Sequence, residues 1–133
     1  MKKIGPNSDC PCGSRIKYKK CCQIYHKGAL AKSALVLMKS RYSAYATNNI
    51  KYIIKTTHKD SPHYYEDREK WQSDLEEFCQ TSQFLKLDIL EYIDGKDEAF
   101  VTFKATLDRG EMVEKSRFVK VDNRWLYESI VVI

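Results

Sequence analysis

Glycine and proline are scarce in this 133-residue chain, at five and three residues. That excludes collagen-like, linker-like and proline-rich low-complexity proteins. No apolar run approaches the roughly 20 residues that a membrane helix needs, so no membrane insertion is expected. The opening MKKIGPNSDC carries two lysines but no apolar stretch behind them, and does not read as a secretory leader. The expected setting is therefore the reducing cytoplasm, where structural disulfides are rare. A glycine-rich phosphate loop, an H-E-x-x-H pair and a G-x-S-x-G elbow are also missing, and the reading leans away from an enzyme.

What is present is an ordinary globular composition, 43% hydrophobic and 31% charged, with an uneven distribution of its net charge of +5. Residues 1–27 hold seven basic side chains (Lys2, Lys3, Arg15, Lys17, Lys19, Lys20 and Lys27) against Asp9 alone. The rest of the chain is close to neutral. The positive excess thus belongs to one short segment, 1–27, in which Gly5, Pro6, Pro11 and Gly13 break regular structure. This segment reads as a self-contained module, and 28–133 as the body.

In the body, Ala31, Leu35, Met38, Tyr42 and Tyr45 recur at helical spacing as far as Asn48-Asn49. Ile50, Ile53, Ile54 and Thr57 suggest a second, short helix. Ser61-Pro62 reads as the start of a third, with Trp71, Leu75, Phe78 and Cys79 on its buried face. The period then changes to two. Leu85, Leu87, Ile89 and Ile93 form one strand, and Ala99, Val101, Phe103, Ala105 and Leu107 the next. Residues 111–122 give a third strand and RWLYESIVVI a fourth. The turns at Asp94-Gly95, Arg109-Gly110 and Asp122-Asn123 are short, so the sheet should be an antiparallel meander. Helices followed by strands give an α+β fold.

The stretch CPCGSRIKYKKCC places four of the five cysteines within thirteen positions. A disulfide knot, a redox pair, a metal site and chance all compete to explain it. Adjacent Cys21 and Cys22 cannot easily bond to each other, because neighbouring Cα atoms lie closer than a relaxed disulfide prefers. Ligation accounts best for the crowding. Cys10 and Cys12 make one ligand pair, Cys21 and Cys22 a second, and Gly13-Ser14 permits the bend between them. So few apolar residues could not fold on burial alone, whereas a structural zinc contributes on the order of 10 kcal/mol. An iron–sulfur cluster and metal-free reactive thiols remain the alternatives from spacing. Cys79 reads as a core thiol and His26 as a local structural residue.

The string resembles the SEC-C motif, a small zinc-binding module found at the C-terminus of the SecA translocation ATPase. Cys10, Cys12, Cys21 and Cys22 stand at its ligand positions, with Gly13, Ser14, Tyr18 and Lys19 in its interior. The resemblance implies one structural Zn²⁺. Together with YHKG, LMKSRYSAYA and SRFVKVDNRW, it extends over nearly the whole chain to the YchJ-like family. That family implies a nuclear transport factor 2-like cone, a curved antiparallel sheet cupping N-terminal helices. Thr57 stands where the family usually has tryptophan. In SecA the comparable module contacts a chaperone and the ribosome region, which implies a protein or ribonucleoprotein partner here. Arg15, Lys17, Tyr18, Lys19 and Lys20 would form its surface, and RNA could be held by phosphate contacts and stacking.

A second reading makes the chain a small-ligand binder or an enzyme using the cavity of such a cone. Arg41 is then decisive. It is either paired with a carboxylate in a packed helix, or it surrounds a polar pocket with Tyr42, Tyr45 and His58.

Overall fold

Three of the four α-helices among the described residues begin at a side-chain cap. The computed structural model describes residues 4–131. Before the first helix, Asp9 bridges Lys17 and a single 3₁₀ turn spans Tyr18–Lys20. Helix α1 covers Cys22–His26, α2 Ala34–Ala46, α3 Ile50–Lys55 and α4 Arg68–Thr81. Ser33 caps α2 by accepting from the Val36 amide at 3.1 Å, and Asn49 caps α3 through the Tyr52 amide at 3.2 Å. Between them Asn48 adopts φ 59°, the left-handed turn that ends α2 at the expected place.

Helix α4 starts later than Ser61-Pro62 suggests. Ser61 is engaged in a turn, its amide donating to the His58 carbonyl at 2.9 Å and its carbonyl accepting from Tyr64 at 3.0 Å. Asp67 supplies the cap instead, accepting from the Lys70 amide at 3.1 Å. Trp71 and Cys79 are the buried residues of that helix.

Four strands follow: β1 (Phe84–Ile93), β2 (Glu98–Leu107), β3 (Gly110–Val121) and β4 (Arg124–Val131), each antiparallel to the next in the order β1-β2-β3-β4. Strand β2 keeps the expected alternation, with Ala99, Val101, Phe103 and Ala105 buried. Strand β1 does not. Register shifts between Phe84 and Lys86 and between Ile89 and Glu91 insert Leu85 and Leu90, which are left unpaired and exposed. Phe84 turns inward in place of Leu85. A further shift at Arg117/Phe118 bends the other side of the sheet. Bulges increase local bend and twist, and here they curl the sheet around the helices. The free edge of β4 is capped by the chain after α3: His58 donates to the Tyr127 carbonyl and Tyr127 to the Thr56 carbonyl, both at 2.8 Å.

Helix α2 sits inside the curl and is buried nearly all round. Leu37 and Met38 meet the apolar core, Arg41 emerges between them on the same side, and Ser40 and Ser43 are buried on another face. An apolar stripe alone does not describe such a helix. Leu37→Ala, at a site 1% exposed, is expected to lower stability by about 2–5 kcal/mol, read from urea unfolding.

Candidate functional site

The backbone of the cysteine segment folds on itself before any side chain is considered. The Cys10 amide donates to the Ile16 carbonyl at 2.9 Å, and the Tyr18 amide to the Ser8 carbonyl at 2.8 Å. Gly13 takes φ 86° at the bend, a conformation that side chains disfavour. Cys10 and Cys12 leave this loop, Cys21 precedes α1, and Cys22 opens it. The four Sγ atoms lie within 4.8 Å of one another, with Cys10, Cys12 and Cys22 buried. All are free thiols. Cys12 Sγ and Cys21 Sγ are 3.7 Å apart. A tetrahedral ion with metal–sulfur bonds of about 2.3 Å requires sulfurs about 3.8 Å apart, so the spacing fits a metal and not a disulfide.

Crowding lets one thiol ionise at its neighbours' expense. Hydrogen bonds from Cys12 and Cys22 hold Cys10 far below the usual thiol value. The contact with Cys10, the largest cause for each, pushes Cys12 up to about 11 and Cys22 higher still. Only a cation at the centre stabilises all four as thiolates. When bound, a divalent metal would supply that positive charge and a tetrahedral tether. Ser14 Oγ lies 3.2 Å from Cys21 Sγ, and Ser43 Oγ 3.5 Å from Cys10 Sγ. Ser43 belongs to α2, so the body reaches into the metal centre.

A second tie is His26. Its Nε2 meets the Ser40 carbonyl at 2.8 Å, which makes it the donor, and its Nδ1 therefore accepts from the Tyr18 hydroxyl at 2.5 Å. Burial holds the imidazole below its ordinary pKa, consistent with this neutral tautomer. Its ring packs 4.7 Å from that of Tyr52. Tyr18 is 7% exposed and is a core residue of the module rather than part of a partner surface. Arg15, Lys17, Lys19 and Lys20 are exposed, together with Ile16 and Ile24.

The curl of the sheet encloses a cavity of about 390 Å³. Arg41, Tyr42 and Tyr45 line it, as do Tyr127, Glu114 and His63. His58 does not. Its Nδ1 accepts from the Asp60 amide at 3.0 Å, because pairing with β4 turns it away from the interior. No carboxylate of the described residues lies within ion-pair distance of Arg41, which is 8% exposed. Its Nη1 donates to the Ile53 carbonyl at 3.0 Å, Thr56 Oγ1 at 2.7 Å and Thr57 Oγ1 at 3.1 Å. The guanidinium carbon lies 4.6 Å from the centre of the Tyr127 ring. Burial pushes the Tyr42 and Tyr127 hydroxyls up to about 12, so both stay protonated. Burial also raises Glu114, an effect that His63 partly offsets.

Residues 33–129 match the family described as YchJ, middle NTF2-like domain, and residues 7–24 match the SEC-C motif. The chain belongs to the YchJ family. It is 42% identical over 132 residues to a UPF0225 protein of Pectobacterium carotovorum, covering 91% of this chain and 81% of that one. With a UPF0225 protein of Xanthomonas campestris it shares 36% over 128 residues, covering 92% and 93%. Among solved structures, a SEC-C motif containing protein from Rhodopseudomonas palustris superimposes with a TM-score of 0.76 at 29% identity, covering 94% of this chain and 98% of that one. A second, from Psychrobacter arcticus, gives 0.76 at 25% identity, covering 96% and 85%. The fold of this YchJ-family chain is accordingly α+β with a nuclear transport factor 2-like body. Among the described residues no helix is long and apolar enough to cross a membrane.

Sequence reasoning missed Ser43, Thr56, Glu114 and His63. Only Ser43 left a trace, as a polar residue within an otherwise packed helix. Two substitutions separate ligand from tie. Cys22→Ser is expected to lose the bound metal, measured by inductively coupled plasma mass spectrometry. His26→Ala should keep its metal while unfolding about 2–4 kcal/mol more easily in urea, through two buried groups left unpaired.

Proposed function

We propose that this YchJ-family chain is a zinc-stabilised, non-catalytic interaction protein of the cytoplasm. Its module presents a basic face to an acidic protein or ribonucleoprotein partner, and the α+β body serves as scaffold. The observation that carries this reading is the arrangement of 15–20. Arg15, Ile16, Lys17, Lys19 and Lys20 point to solvent, and Tyr18 between them is buried as the anchor. An all-sulfur donor set of four suits structural zinc and fills the tetrahedron, which leaves no position for water and so no metal-centred hydrolysis.

The burial of Tyr18 bears on how such a partner would be recognised. Tyr25 is half-buried against the core as well, so the face has no open aromatic platform for stacking bases. Recognition then rests on charge, which makes it salt-dependent and indifferent to base sequence.

The test is co-sedimentation with purified bacterial ribosomes, alongside capture from lysate with and without nuclease. Replacing Lys17, Lys19 and Lys20 together by glutamate is expected to reduce binding by about tenfold or more at moderate salt, with zinc content unchanged. Equal binding by the wild type and the triple variant, or binding insensitive to salt, would count against the basic face.

A further inference from the structure

The cavity in the body is a separate feature, and its contents go beyond the docking reading and do not depend on it. About 390 Å³ is enough for a small organic molecule. Most of its wall is aromatic or aliphatic: Tyr45, Tyr65, Trp71, Phe78, Phe84 and Phe103 among others. Into this apolar space comes one permanent cation, Arg41, with no acidic partner.

The hydrogen bonding of Arg41 is one-sided. All three of its bonds leave from Nη1, to acceptors on α3 and the turn after it. Those bonds and the Tyr127 ring hold the side chain in a single orientation. Among the described residues no carbonyl or carboxylate takes Nε or Nη2, which form the other edge of the guanidinium fork; the Tyr45 hydroxyl is the remaining group that Arg41 engages. Tyr42 Oη is the one sealed, unpaired side-chain polar atom among the described residues, so that edge of Arg41 still meets open space. The open space beside Arg41 is the cavity. A planar edge of two parallel N–H donors matches the two oxygens of a carboxylate.

The neighbouring groups agree with an anion. Tyr45 lies one helical turn from Arg41 and lines the same wall, and its hydroxyl is engaged by Arg41 through a side-chain hydrogen bond that leaves its own proton to donate. Burial pushes that hydroxyl upward and Arg41 draws it back, which places the two groups within electrostatic reach. The lining holds two carboxylates: Asp74 accepts from the Tyr65 hydroxyl and pairs with Lys70, whereas Glu114 makes no ion pair with the described residues. A buried cation left without a counter-charge is costly, and an incoming anion would offset that cost.

We propose that the cavity is a binding site for a small organic carboxylate with an aromatic or otherwise apolar body. The Nε–Nη2 edge of Arg41 takes the carboxylate, Tyr45 donates to it, and the aromatic wall holds the rest. A neutral molecule of the same shape fills the same wall but leaves Arg41 uncompensated.

The probes are 1-naphthylacetate and its neutral carboxamide, titrated into the metal-loaded full chain by calorimetry and by ¹H–¹⁵N correlation NMR. The acid is expected to bind roughly ten- to a hundredfold more tightly than the amide, with shifts at Tyr45, Thr57 and Tyr127. Arg41→Gln should abolish that preference. Because Arg41 also ties α3 to α2, Glu114→Gln supplies a second variant that leaves those bonds alone. It should tighten the acid severalfold and leave the amide unchanged, by removing a competing carboxylate from the lining. Equal affinity for acid and amide, a Glu114→Gln variant that gains nothing for the acid, or absence of cavity shifts at millimolar acid would each overturn the proposal.

Discussion

Helix α2 lies in the middle of the molecule, and its polar residues have to be satisfied there. Unpaired buried polar groups cost a few kcal/mol each, so Ser40, Arg41 and Ser43 dictate what must surround them. The Ser40 carbonyl takes the His26 imidazole, and Ser43 reaches the Cys10 sulfur. Arg41 takes the end of α3 and the two threonines after it. The cysteine module is therefore part of the wrapping of the helix. It covers a polar face that the sheet cannot serve.

Two kinds of concentrated charge result, and the protein treats them differently. Four thiols are drawn together so closely that Cys10 ionises at the expense of Cys12 and Cys22, and the sulfur spacing set by their backbone loop suits a tetrahedral ion. The guanidinium of Arg41 is permanent, and the described residues leave it without an acid. One site is a cluster of four sulfurs with the donor set of a tetrahedral metal site. The other has a donor edge left over beside an aromatic cavity. The aromatic rings around it cannot replace a counter-charge, since the single cation–π contact with Tyr127 engages one face and leaves the planar edge free.

The basic character of 1–27 follows from the same arrangement. The thiols, Tyr18 and His26 are drawn inward, while the charged side chains between them have no room inside and stand in solvent. A chain segment of six residues thereby becomes an exposed cationic ridge whose centre, Tyr18, is its attachment.

Much of this was legible in the chain itself. Period two in β2, the Asp122-Asn123 turn and the end of α2 at Asn48-Asn49 are local properties, and local chemistry determines them. The four cysteines declared their grouping through spacing, because a short loop allows few other closures. The inward face of β1 was not legible, since bulges shift register through pairing with β2 and leave no mark in hydropathy. The start of α4 was misplaced because Ser61-Pro62 is as good a turn as a cap, and contact with α3 and β4 decides between them. His58 and His63 are equivalent in sequence terms. Pairing of the chain with β4 turns the first outward and brings the second to the cavity. Sequence alone thus determined the fold class, the cysteine cluster and the basic segment, which depend on residues near one another along the chain. Tertiary structure decided that α2 is buried on every face, that Tyr18 is an anchor, and that Arg41 has no acidic partner. Those depend on which distant groups end up within hydrogen-bonding distance, and no local pattern encodes that.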